Sequence, residues 1–331
     1  MPRPFALRAV AQFLPDNEVA VADLPFTDQE WETCRQLGVE RVRADDTLSA
    51  VDLAVNAANQ ALAQAGLDAQ DLDALIVVDS RAPQTLLSSE ATHVQALLGA
   101  RRAVTFGVGG QGCVSLAPAL RAARAFLADE ETAEHVLVVH GSKPATPNRY
   151  RHPVTVNGDG GQAVVIGRTG PLRVLDMVQF SNGEYWDLFA VEFRDRPVGE
   201  WREECADQQR YSFKLAMETR NRLRELYRDL LARNGMAHGE VHCHLGQNLS
   251  EASLRFTAES LDVEMAKACA DNLRRYGHLG PNDMLLNLTA AIGGGELGPG
   301  QRAVLVGASP VAAWSLLLVE NGDSGATEHY L

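Results

Sequence analysis

Lysine is nearly absent from this chain: Lys143, Lys214 and Lys267 are the only ones, and every other basic side chain is arginine. Basic residues are also outnumbered, 30 Lys and Arg against 43 Asp and Glu, for a formal net charge of −13. A surface of that sign repels phosphate backbones, which argues against nucleic acid as a partner. No apolar run reaches the ~18 residues needed to cross a bilayer. The opening stretch, Met1-Pro-Arg-Pro-Phe-Ala-Leu-Arg8, lacks a secretory apolar segment. The expectation is a cytoplasmic protein without a membrane partner. Cysteines are few, odd in number and widely spaced (Cys34, Cys113, Cys205, Cys243 and Cys269), so a disulfide framework is not expected. No C-x-x-C occurs. His242-Cys243-His244 would place its two histidines on one face of a strand. No second ligand pair stands at zinc spacing, so no metal is expected.

What is present is a long alternation of strand and helix signals. With 331 residues and 46% hydrophobic content, the chain can bury one large core or two domain-sized halves. Thr27 and Glu30 have the spacing of a capping box for a short helix. Ser49 leads into an amphipathic helix ended by Gly66, and Leu75-Ile-Val-Val78 reads as a buried strand. Gln162-Ala-Val-Val-Ile-Gly167 and Gln301-Arg-Ala-Val-Leu-Val-Gly307 echo one another. The echo suggests two similar α/β units, divided as residues 1–170 and 171–331. Residues 181–209 are aromatic, charged and irregular. They read equally as a cap over a pocket or as a long surface insertion.

The stretch Val104-Thr-Phe-Gly-Val-Gly-Gly-Gln-Gly-Cys113 carries the most chemistry. An apolar strand feeds a glycine-dense turn, the turn ends in a cysteine, and a helical pattern follows at once. Glycines permit the sharp turn. A thiol at a helix N-terminus is shifted toward the nucleophilic thiolate. The competing reading is a buried, inert cysteine; the glycine frame favours the nucleophile.

Several segments resemble the thiolase superfamily, and within it the ketoacyl synthase III branch. Phe26-Thr-Asp-Gln-Glu-Trp31, Arg35 and Gly38-Val-Glu-Arg41 are similar to the family's early helix and "GI-x-x-R" stretch. Ala63-Gln-Ala-Gly-Leu67 with Leu72 to Val78, Gly112-Cys113, and Gly158-Asp-Gly-Gly-Gln-Ala-Val-Val165 follow in the family's order. The resemblance implies an α/β thiolase-like fold: two similar βαβαβαββ halves in a five-layer α-β-α-β-α sandwich. It also implies a homodimer that uses acyl-CoA or an acyl carrier protein as substrate, with no cofactor. Trp31 and Arg35 match family residues that hold coenzyme A, although Trp31 equally suits a packed surface aromatic. Leu87 matches the loop residue that crosses into the partner's acyl pocket.

The departures from the pattern bear on the reaction. The family's "H-Q-A-N" histidine falls at Gln247 or Asn248, and His244 takes its place only if the loop is shifted. The family's "G-N-T-S" asparagine falls at His278, with Asp283 five residues on. Gly277-His278 with Asp283 resembles a subgroup from antibiotic pathways and implies a Cys113–His278–Asp283 triad. His278 could also be a structural turn histidine, and Asp283 a helix N-cap, a role compatible with the triad. Asn248 and His244 remain candidate supporting residues. The backbone N–H groups of Cys113 and Val311 are candidate oxyanion donors, since Pro310 has none. These parts suit acyl transfer to an alcohol, an amine or a carrier protein. The alternatives are a starter-unit ketoacyl synthase condensing with a malonyl carrier protein, and a non-catalytic subunit of a ketosynthase heterodimer.

Overall fold

The computed structural model describes residues 5–85 and 87–322. The first half opens with β1 (Phe5–Phe13). A small pair, β2 (Glu18–Ala20) and β3 (Arg41–Arg43), brackets α1 (Asp28–Cys34). Thr27 accepts from the Glu30 N–H while Glu30 accepts from the Thr27 N–H, so the capping box forms. Then follow α2 (Ala50–Ala65), β4 (Ala74–Val78), α3 (Glu90–Leu98) and β5 (Val104–Val108). α2 is capped by Ser49 and stopped at Gly66, as its sequence signals suggest. After α4 (Leu116–Asp129) come β6 (Val136–Ser142), the short β7 (Tyr150–His152) and β8 (Thr155–Val156), then β9 (Gly160–Gly167).

The second half begins with β10 (Leu172–Ser181). Within the 181–209 segment, β11 (Phe189–Ala190) and β12 (Glu203–Cys205) pair with β7 and β8 in a four-stranded sheet. α5 (Ala216–Arg233), β13 (Cys243–Leu245), α6 (Glu251–Leu261), α7 (Lys267–Tyr276) and α8 (Asp283–Gly293) lead to β14 (Arg302–Ser309) and β15 (Ala313–Asn321).

Nine strands form one sheet, β13-β14-β15-β10-β1-β9-β6-β4-β5. β1 and β10 pair antiparallel where the two halves meet. Outward from that seam each half repeats one order: its first strand, then its last, then the one before it. Among the described residues the second half is one strand short of βαβαβαββ, because a 3-10 turn at Gly280–Asn282 links α7 directly to α8. That turn carries Pro281, which has no N–H to give a strand ladder.

Three apolar clusters divide the molecule into layers. α2 and α3 cover the outer face of the first half-sheet through Val51, Ala54, Ala58, Leu62 and Val94. α5 covers the outer face of the second through Leu223, Leu226 and Leu230. Between the half-sheets lie α4 and α8, whose Leu116, Leu120, Met284 and Leu288 meet strand residues of both halves. The order α-β-α-β-α follows. Both central helices begin next to the turns that carry the candidate site.

Candidate functional site

Cys113 lies in a 3-10 turn, Gly112–Val114, just ahead of α4 rather than on its first residue. Gly112 has φ +54, and a Cβ there would lie 2.6 Å from Ser309 Oγ. Only glycine lets the turn sit this close to β14. Gln247 fixes the same contact. Its Nε2 donates to the Cys113 carbonyl at 3.0 Å, and its Oε1 accepts from the Ala308 N–H at 2.8 Å.

His278 approaches from the other half. Gly277 adopts φ +60, where a Cβ would meet the Val156 carbonyl at 2.6 Å. The His278 N–H donates to Val156 O at 2.9 Å, and its carbonyl accepts from the Gly158 N–H at 3.1 Å. The imidazole is thus held on its backbone against β8. Its Nε2 is 2.9 Å from Cys113 Sγ, and its Nδ1 is 2.6 Å from Asp283 Oδ2. Asp283 Oδ2 also accepts from the Asn248 N–H at 2.8 Å, and Oδ1 from the Leu279 N–H at 2.8 Å. Asp283 is the first residue of α8, and Asn282 occupies the N-cap position. Its carboxylate bonds to donors outside the helix, so it is not the helix cap. Both His278 and Asp283 are fully buried.

Charge around the sulfur favours the thiolate. Burial alone would push the Cys113 thiol up. The His278 imidazolium, Arg151, the hydrogen bond from His278 and Arg81 outweigh burial and hold it at about 6. Burial by itself would lower the basicity of His278; Cys113 and Asp283 outweigh it and raise it. In Cys34, Cys243 and Cys269 burial dominates and pushes the thiols up to about 12, 11 and 12. An Nδ1–H held by Asp283 fixes the tautomer, so Nε2 can exchange a proton with the sulfur.

Three charged residues of this cluster went unrecognised in the sequence. Arg151 on β7 donates toward Cys113 Sγ at 3.5 Å and forms an ion pair with Glu203 of β12. The 181–209 segment therefore delivers a carboxylate to the site. Arg81, in the loop after β4, donates from Nη1 to Asn157 Oδ1 at 2.6 Å. Arg151 stands beside the glycine-rich Gly158–Gly161 stretch, a usable signal; Glu203 had none.

The other expected residues divide. Asn248 reaches the cluster through its backbone, and its side-chain Oδ1 accepts from Asn287 Nδ2 at 2.9 Å. The Val311 N–H is engaged at 3.4 Å by Ser309 Oγ, within its own turn. His244 is not brought to the site. Its Nε2 pairs with Tyr227 Oη at 2.9 Å on the outer face of β13, because alternate strand residues face opposite ways. Burial, then His238, push it down to about 4. It borders a cavity of about 450 Å³ with His238, His242, Asp262 and Glu264, on the opposite face from the layer holding α4 and α8. Among the described residues, no three His, Cys, Asp or Glu side chains are placed to share a metal ion. Trp31 stacks on Phe26, which meets Tyr150 edge-on, one residue from Arg151. Arg35 is exposed and paired with Glu32 at 2.6 Å. Leu87 is fully exposed at φ 67.

Comparison with known proteins follows the same lines. Residues 231–320 match the family model for the C-terminal region of 3-oxoacyl-[acyl-carrier-protein] synthase III. The β-ketoacyl-[acyl-carrier-protein] synthase III 1 of Vibrio vulnificus is 27% identical over 319 residues, spanning 93% of this chain and 96% of that protein. Its Chlorobium luteolum counterpart is 24% identical over 331 residues, spanning 95% and 98%. Among solved structures, ChlB3, described as an acyltransferase, superposes with a TM-score of 0.84 at 24% identity, covering 96% and 98%. FabH of Pseudomonas aeruginosa gives 0.79 at 20% identity, covering 97% and 99%. OleA of Xanthomonas campestris gives 0.78 at 19% identity, covering 97% and 99%.

Proposed function

We propose that this chain is a ketoacyl synthase III-like member of the thiolase superfamily and, within it, an acyltransferase of secondary, antibiotic-type metabolism. An acyl group passes from a CoA or carrier-protein thioester to Cys113, and from there to an alcohol, amine or carrier-protein acceptor. The relatives are named for the acyl carrier protein, and an OleA variant has been crystallised with lauroyl-CoA.

The observation that carries the reading is the relay from sulfur to carboxylate: Cys113 Sγ to His278 Nε2 at 2.9 Å, then His278 Nδ1 to Asp283 Oδ2 at 2.6 Å. In the first step the thiolate attacks the donor carbonyl, and the new C–S bond replaces the old one. The leaving thiolate takes the proton from His278 Nε2. In the second step the neutral imidazole accepts the acceptor's O–H, N–H or S–H proton as that atom attacks the Cys113 thioester. The Cys113 thiolate leaves, and the thiolate–imidazolium pair is restored. Throughout, Asp283 keeps Nδ1 protonated.

A second reading has its own support. Asn248 Nδ2 is buried without a partner, a free donor beside the cluster. Such a donor suits the enolate oxygen of a decarboxylating condensation, and the curated relatives are named β-ketoacyl-[acyl-carrier-protein] synthases. Release of labelled CO2 from a malonyl thioester, dependent on a loaded Cys113, would establish that reading instead. The non-catalytic alternative is weakened by the retained Cys113 and its lowered pKa. The primary test is intact-protein mass spectrometry after incubation with acyl-CoAs. The acyl mass should appear on the wild type and be absent from Cys113→Ala. Adducts persisting on that variant would refute the assignment.

A further inference from the structure

Two guanidinium groups face the Cys113 region, and one of them lacks a carboxylate. Arg151 is matched by Glu203. Arg81 is held only through Nη1, on the neutral amide of Asn157. Its Nη2 is buried with no hydrogen-bond partner. No ion pair to Arg81 occurs among the described residues. A guanidinium N–H buried without a partner is unfavourable, and an anion would satisfy it.

The space beside that nitrogen is defined. Measured from where a Cβ on Gly280 would sit, Arg81 Nη2 is at 3.2 Å, His140 Nε2 at 3.7 Å and Ser142 Oγ at 3.8 Å. Ser142 Oγ is also buried and unpartnered. Gly280 lies two residues past His278, so this cluster of polar groups adjoins the relay. Its ready donors are a guanidinium N–H and a hydroxyl. His140 donates from Nδ1 to the Val78 carbonyl at 2.9 Å, which leaves Nε2 as an acceptor. Glu203 neutralises one guanidinium, and its Oε2 carries no further bond. Arg81 has no carboxylate in direct contact among the described residues. Asp283 does not offset the Arg81 charge directly, since both its oxygens are bonded on the far side of His278.

The resting thiolate partly answers that charge. Acylation removes it: the sulfur becomes a neutral thioester as His278 gives its proton to the leaving thiolate, and Arg81 Nη2 and Ser142 Oγ still have no partner. A plain alkanoyl chain would set apolar groups against the guanidinium and the hydroxyl. We infer that the acyl group loaded on Cys113 carries a second, free carboxylate, a short dicarboxylic half-thioester, and that Arg81 and Arg151 bind that carboxylate with help from Ser142. Arg151 stands 3.5 Å from Sγ, which restricts the reach to short chains. The planar fork of an arginine suits a carboxylate in two-point contact. The inference rests on the acyl-enzyme reading above and names its donor class.

The test compares donors matched in carbon number: succinyl- with butyryl-CoA and malonyl- with propionyl-CoA, with the corresponding pantetheine thioesters as stand-ins for a carrier-protein arm. Adduct formation on Cys113 is followed by intact-protein mass spectrometry. The diacid donors should acylate with kcat/KM roughly 10²-fold above their partners, the scale for a charged hydrogen-bonding group matched or left unmatched in a buried site. Arg81→Met should bring that ratio close to one, and Arg81→Lys should fall between. Wild-type acylation by butyryl or propionyl donors at the diacid rate overturns the inference and leaves the acyltransferase reading standing. So does an unchanged ratio in an Arg81→Met protein that still loads. Should Arg81→Met fail to fold, the wild-type panel alone decides. If no donor of either kind loads Cys113, the acyl-enzyme reading itself fails, and this inference with it.

Discussion

Replacing Asp283 by asparagine probes the relay with little change of shape. Three N–H donors converge on the carboxylate: His278 Nδ1 at 2.6 Å, Asn248 N at 2.8 Å and Leu279 N at 2.8 Å. An amide offers one acceptor oxygen and an NH2 group. With its oxygen toward His278 and Asn248, the NH2 confronts the Leu279 N–H, and a buried donor loses its partner. In the flipped orientation the NH2 faces His278 Nδ1. The ring then carries its proton on Nε2 and cannot accept one from the thiol side. Either way the folded state loses about 1–3 kcal/mol for an unmatched buried group. The rate effect has two parts. A thiol held at about 6 is mostly ionised at neutral pH, whereas an ordinary cysteine near ~8.5 is ionised to a few per cent, roughly 30-fold less. The more basic thiolate is the better nucleophile, with a Brønsted slope of ~0.4–0.5, which returns about tenfold. Ionisation alone therefore explains only about a threefold loss. Proton delivery to the leaving thiol and removal from the acceptor are worth roughly 10²-fold. Iodoacetamide expels iodide and needs no such proton. Asp283→Asn should then slow acyl transfer by 10²–10³-fold, and alkylation at pH 7 by about threefold. Single-turnover mass spectrometry and an alkylation time course measure the two. Equal losses in both, or acyl transfer within threefold of wild type, would refute the reasoning.

Three further outcomes are expected. Because the Cys113 thiol is lowered to about 6, its alkylation rate should rise as pH climbs through that value and level off above it. Arg151→Met, which removes a positive neighbour, should move the midpoint upward; a wild-type midpoint near the ordinary cysteine value would contradict the electrostatics. His244→Ala should leave acyl transfer within about twofold while costing roughly 1 kcal/mol of stability through the lost Tyr227 bond, and a large rate loss with an unchanged melting point would return His244 to the reaction. Sedimentation should report a dimer of the 35.8 kDa chain. β5 is an edge strand with Val104 exposed, a kind of edge that proteins usually cover, and a monomer at micromolar concentration would count against the expectation.

The sequence was legible where a local signal has one physical meaning. The Thr27–Glu30 box, the Ser49 cap with the Gly66 stop, and the glycine turn before Cys113 all lie within a few residues of what they determine. His278 and Asp283 could be singled out because they replace an expected pattern within one short segment. The arginines could not. Arg81, Arg151 and Glu203 lie on three separate segments, and only the packing of the β7–β12 sheet brings the last two together. Gln247 illustrates the same limit: its two bonds join the first half's nucleophile turn to the second half's β14, and neither partner is near it in sequence. α7 and β10 also went unread. The buried face of α7 mixes Ala268, Cys269 and Leu273 with the polar Asn272, and no side-chain cap marks its start.

The relay straddles the seam between the halves, with 165 residues separating Cys113 from His278. On a ribosome adding ~5–20 residues per second, that interval takes on the order of ten seconds or more. During it the emerging chain holds a cysteine with no imidazole beside it, and so without the charge that does most to lower its thiol. Such a thiol stays largely protonated and attacks thioesters poorly. Reactivity is thus withheld from the nascent chain and arrives only when the second half has docked. A truncated product ending before α7 would be chemically quiet amid the cell's pool of acyl thioesters.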